Sequence, residues 1–135
     1  MHVRMASGPR RLRLITGLTA ACCVAFGCAR GAADVTATWT LQPTEPSTKA
    51  ATLVRLALTE DGSAPVKGAS LRLEAHMSHP GMAPVVADLI ERDGIYESRV
   101  QLTMAGPWVI VASGELADGR RIVKQTKVTA VEPSS

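Results

Sequence analysis

From Ser70 to Met77 the chain alternates without interruption: Leu71, Leu73, Ala75 and Met77 fall on one side, Ser70, Arg72, Glu74 and His76 on the other. A period of two puts successive side chains on opposite faces of a pleated ribbon. This stretch can therefore bury its apolar half only as a strand with one wet face. The same reading extends along the chain. Strands are expected over residues 35–41, 52–59, 69–77, 85–90, 96–104, 108–113 and 122–131. Between them stand breakers: two prolines within residues 42–49, Asp61-Gly62 with Pro65, Pro80-Gly81, Asp93-Gly94, Gly106-Pro107 and Asp118-Gly119. Seven short strands with turn chemistry between them predict an all-β fold, an immunoglobulin-like antiparallel β-sandwich. The run 108–113 is nearly all apolar, which suits a central strand, and Trp108 within it reads as core.

The sandwich cannot begin before residue 34, because the first 27 residues have a different character. Arg4, Arg10, Arg11 and Arg13 form a basic stretch, and residues 14–26 carry no charge. That apolar run is shorter than the roughly 20 residues a membrane-spanning helix needs, but it suits a cleaved signal peptide. It ends in Ala25-Phe26-Gly27-Cys28, which resembles the lipobox of bacterial lipoproteins, where the cysteine is lipidated and becomes the first residue. Cleavage near Gly27 or Ala29 without lipidation, or retention as an anchor, are the other outcomes. The expected organisation is a leader at 1–27, a lipidated Cys28 with a tether to residue 33, one domain at 34–131 and a tail at 132–135. The protein is then extracytoplasmic and held to a membrane by its lipid.

The export signal also accounts for the basic balance. Four of the 15 Lys and Arg residues lie in the leader and none of the 12 Asp and Glu, which leaves 11 bases against 12 acids, a formal charge of −1. A chain without a clustered basic face has no nucleic-acid footprint. All 3 cysteines, Cys22, Cys23 and Cys28, precede the domain, so it holds together by burial without an internal disulfide. Enzyme signatures are absent as well. No Gly-x-Ser-x-Gly elbow or glycine-rich phosphate loop occurs, no cysteine beyond Cys28 could act as nucleophile, and the acids are too dispersed for a calcium loop. The chain reads as a non-enzyme.

The remaining chemistry is concentrated. His76, Met77, His79 and Met82 fall within His-Met-Ser-His-Pro-Gly-Met, and Met104 follows the fifth strand. Strands of a simple antiparallel sandwich alternate in direction, so the loops after the third and fifth strands should share one end. The first strand is odd-numbered too, so the tether should enter at the other end. Every imidazole and thioether beyond the leader is then expected at the pole away from the membrane. Thioethers select Cu(I), and imidazole suits copper as well as zinc. His76, His79, Met82, Met77 and Met104 are thus candidate Cu(I) ligands, with His79 and Met82 the most informative pair. The competing reading is structural: Met77 and Met104 fall on apolar strand faces where methionine is ordinary filler, Pro80-Gly81 is a turn, and His76 lies on the wet face.

Three segments carry a resemblance. His79-Pro80-Gly81-Met82-Ala83-Pro84, Gly94-Ile95-Tyr96 and Met104-Ala105-Gly106-Pro107-Trp108 together resemble the YtkA-like and FixH-like domains of bacteria, over residues 51–131. The resemblance implies an exported or membrane-anchored β-sandwich and an association with copper handling and oxidase assembly, whose proteins would be its partners. It implies no activity. The chain lacks the transmembrane helix of FixH proper, and its lipoprotein-type leader fits the YtkA-like lipoproteins better. Two functions stand side by side: a lipid-anchored module that binds or hands over Cu(I) in copper homeostasis or oxidase maturation, and a protein-interaction module of the cell envelope that needs no metal.

Overall fold

The computed structural model describes residues 34–134. The leader, Cys28, the tether and the last residue of the tail lie outside the described residues. Strands follow one another as β1 (Val35–Gln42), β2 (Thr52–Glu60), β3 (Ala64–Pro65), β4 (Ser70–Met77), β5 (Val85–Arg92), β6 (Ile95–Val100), β7 (Gly106–Glu115) and β8 (Arg121–Ala130). All pairings between them are antiparallel, in the order β1-β2-β6-β5-β4-β7-β8, with β3 appended to β2.

This order divides into the two layers of an immunoglobulin-type sandwich, β1-β2-β6 with β5 facing β4-β7-β8. β5 belongs to both. Its first half pairs with β4 from Ala75↔Val85 to Leu71↔Leu89, and its second half pairs with β6 from Ile90↔Glu97 to Arg92↔Ile95. One side of the sandwich is thereby closed by backbone pairing. On the other side closure is local. Val131 N–H donates to Pro46 C=O at 2.9 Å and Thr48 N–H to Val131 C=O at 3.0 Å, which joins the segment after β1 to the end of β8. β1 and β8 themselves are left as the two edges.

The core forms where alternation said it should. Leu71, Leu73 and Ala75 of β4 are buried, and Met77 packs partly buried beside them. They meet Val54, Leu56 and Leu58 of β2, Tyr96 and Val100 of β6, and Trp108, Ile110 and Ala112 of β7. Burying each large apolar side chain contributes about 1.5–3 kcal/mol, and no cysteine lies among the described residues to help. β7 lies between β4 and β8, which accounts for its apolar run.

Several boundaries differ from the expectation: β5 runs on to Arg92, and β7 reaches Glu115 and takes in Gly106-Pro107, expected as a breaker, because β8 continues the ladder opposite them to Ala130. The fifth strand ends at Val100, not at 104, because its partner β2 begins at Thr52, opposite Val100, and beyond that point no ladder exists. Leu102 stays fully buried, but Met104 lies in a loop and not on a strand face. The turn around Asp61-Gly62 contains the short β3, which pairs with Thr59 and Glu60 where β6 no longer reaches. β8 stops at Ala130, and Val131 passes its hydrogen bonds to the 46–48 segment.

Candidate functional site

β4 runs toward one pole of the sandwich and ends there at Met77, opposite Trp108 near the start of β7. β6 ends at the same pole, since Gln101 Nε2 donates to Thr48 C=O at 2.6 Å beside the closing segment, and the chain re-enters β7 at Gly106. The loops 78–84 and 101–105 are tied together where they meet β7. Ser78 N–H donates to Pro107 C=O at 3.1 Å, and the Trp108 indole N–H donates to Met104 C=O at 2.9 Å. The Met77 methyl lies 3.0 Å from where a Cβ on Gly106 would stand, so the glycine makes room for that side chain. The convergence expected from strand direction is present in the fold.

The five candidate donors occupy three different settings. His76 is on the outer face of β4, its Nε2 3.0 Å from Glu74 Oε2. Met77 points to the opposite face and packs against the core. His79, Met82 and Met104 are exposed on the two loops, Met82 at 40% and Met104 at 46%. The Met104 backbone is held by the Trp108 indole while the residue as a whole stays exposed. The pole therefore separates the set: His79, Met82 and Met104 are presented by adjoining loops, whereas His76 and Met77 diverge across the sheet. Among the described residues no three His, Cys, Asp or Glu side chains come together as a metal-binding group. A zinc or calcium site would need such donors. The donors on these loops are the softer kind, thioether with imidazole, which suit Cu(I).

Beside the tip, Ser78, Pro107, Trp108, Lys127, Val128 and Thr129 border a shallow depression of about 360 Å³. A larger one of about 550 Å³ lies at the far pole among Ser70, Glu115 and Arg121.

The far pole holds a polar arrangement that alternation could not reveal. The Tyr96 hydroxyl donates to Val66 C=O at 2.8 Å, accepts from Ala69 N–H at 3.1 Å and lies 3.2 Å from Glu91 Oε1, which also accepts from Gly68 N–H at 2.5 Å. Burial holds this hydroxyl above its ordinary pKa; the Ala69 N–H works against that rise and the Glu91 carboxylate adds to it. The aromatic ring in Gly94-Ile95-Tyr96 was the only signal in the chain for this corner.

Residues 31–112 match the YtkA-like family profile. The chain belongs to the YtkA-like family. The matched stretch begins earlier than the motifs suggested and stops within β7, before β8. No curated protein matches this YtkA-like chain. Among solved structures, a crystal structure of an engineered protein is similar to 71% of the chain at 19% identity and a TM-score of 0.47. The chain spans only 20% of that protein's length.

Proposed function

We propose that this YtkA-like domain is a lipid-anchored module of the cell envelope that holds Cu(I) at the pole formed by the 78–84 and 101–105 loops. Met82, Met104 and His79 are the first donors, with Met77 and His76 in reach only if the end of β4 rearranges. The observation that carries the reading is the exposure of two methionines. Methionine is normally core filler, and leaving Met82 and Met104 at 40% and 46% exposure forgoes part of the about 1.5–3 kcal/mol that full burial of each would contribute. A soft metal ion supplies a use for them, and Cu(I) bound there would be available for transfer to a copper-handling or oxidase-assembly partner. His76 Nε2 is already engaged with Glu74 Oε2 at 3.0 Å on the outer face of β4, away from the two loops, which ranks His76 below His79.

The test is a competition titration of the reduced protein with Cu(I) against a chromophoric chelator. Replacing Met82 and Met104 together with leucine should weaken binding by at least about tenfold, equivalent to 1.4 kcal/mol, with the thermal midpoint unchanged. His79→Ala should weaken it further. Equal competition by the parent and the double-leucine protein sinks the copper reading. The metal-free interaction module then takes its place, supported by Val86 and Ile90, both left exposed on the outer face of β5.

A further inference from the structure

The two edges of the sandwich are defended differently. An edge strand offers a row of unpaired N–H and C=O groups, and proteins guard such rows with charge, proline, bulges or inward-pointing lysine. β8 carries Arg121, Lys124 and Lys127 and no acid, and Lys124 sits half-buried on the inner side of the strand, in register with buried Ala112. β1 has none of these devices. Its sequence Val-Thr-Ala-Thr-Trp-Thr-Leu-Gln holds no charge and no proline, and its ladder with β2 runs from Val35↔Glu60 to Gln42↔Leu53 without a bulge. Among the described residues nothing pairs with its far edge.

We propose that β1 pairs antiparallel with β1 of a second copy of this chain, about a twofold axis through Thr38, joining the two β1-β2-β6 sheets into one. The strand is complementary to itself in that register. Thr38 faces its own copy, and Thr36 faces Thr40 of the second copy on the outer side, where all three threonines are exposed. On the inner side Val35 faces the second copy's Leu41, and Ala37 faces its Trp39. Threonine pairs and aromatic–aliphatic pairs are both favourable across antiparallel strands. Ala37, Trp39 and Leu41 are only partly buried in the single chain, and a second β1 would cover the side they leave open. The partner is selected by charge: two β8 edges would bring their cations together, whereas two β1 edges bring none. Pro43, which lacks an N–H, ends the ladder just past Gln42.

Cysteine cross-linking reads both the pairing and its register. Residues directly opposite across antiparallel strands have Cα atoms about 4.5–5.5 Å apart, within the 4.4–6.8 Å a disulfide spans. In the full chain, Thr38→Cys should cross-link to itself on mild oxidation, above the background that Cys22, Cys23 and Cys28 give in the parent. Thr36→Cys and Thr40→Cys should cross-link with each other when mixed. Neither should do so alone, because like residues would stand four positions apart, about 14 Å. Thr38→Lys, which sets two cations face to face, should shift the measured mass from dimer to monomer and leave the circular dichroism unchanged. Three outcomes overturn the proposal: a monomeric mass for the parent, cross-linking of the variants no higher than the parent's, or self-linking of Thr36→Cys as efficient as that of Thr38→Cys. Any of them would give the β1 edge to an extended segment of another protein or leave it unpaired.

Discussion

At Tyr96 one hydroxyl bonds two backbone groups of the 66–69 segment and the Glu91 carboxylate, and its removal tests how much the far pole depends on it. Tyr96→Phe keeps the ring in the core but leaves the Val66 carbonyl and the Ala69 N–H without their partner. An unsatisfied buried group costs about 1–3 kcal/mol, so a loss of that order is expected in chemical denaturation. The same group sets an alkaline limit. Because the folded hydroxyl is held above its ordinary value of 10.0, the unfolded chain releases this proton first as pH rises. Stability is therefore complete below about pH 10 and declines above it, through the folded-state value. Tyr96→Phe should flatten that alkaline limb in denaturation curves recorded across pH; an unchanged limb would assign it to other groups. No sequence period announces such a residue. An apolar ring at an inward position looks the same whether or not its hydroxyl finds a carbonyl across the fold.

At the scale of elements, β4 and β7 approach so closely near the far pole that Gly114 has no substitute. A Cβ there would stand 2.0 Å from the Ser70 carbonyl oxygen and 3.0 Å from the Leu71 Cα, both backbone atoms that cannot swing aside. Overpacking of a core costs about 1–3 kcal/mol when side chains can give. Gly114→Ala should reach the upper end of that range, with a thermal midpoint below the parent's. A midpoint for Gly114→Ala equal to the parent's would show that the strands can part freely. Which strands exist was legible in the alternation, because a half-buried strand must alternate. Where they end was not. β6 stops at Val100 because β2 starts at Thr52, and the short β3 takes the edge of Thr59 and Glu60 that β6 does not reach, their other edge being paired with β1. A ladder ends where its partner ends, and the partner is assigned only by the fold.

For the whole molecule, direction is the useful quantity. Val35 pairs with Glu60 at one pole, and Met77 and Gly106 lie at the other, so the chain enters the domain opposite the His79, Met82 and Met104 loops. Under the proposed lipid anchor those loops face away from the membrane. Cys28→Ser should then move the protein from the membrane fraction to the soluble one, since the acyl chains carry the attachment. Retention of that variant in the membrane fraction would rule out lipidation as the anchor. The amino-acid sequence by itself determined the class of fold, the number of major strands and, through their parity, the shared pole of the two loops, because alternation and turn residues are local properties. Tertiary structure decided which donors that pole presents, sending His76 and Met77 to opposite faces of one strand and leaving Met82 and Met104 in solvent. It also decided that β5 would serve both sheets and that β1 and β8 would be the edges. Exposure and pairing are relations between segments distant along the chain, and no local pattern encodes them.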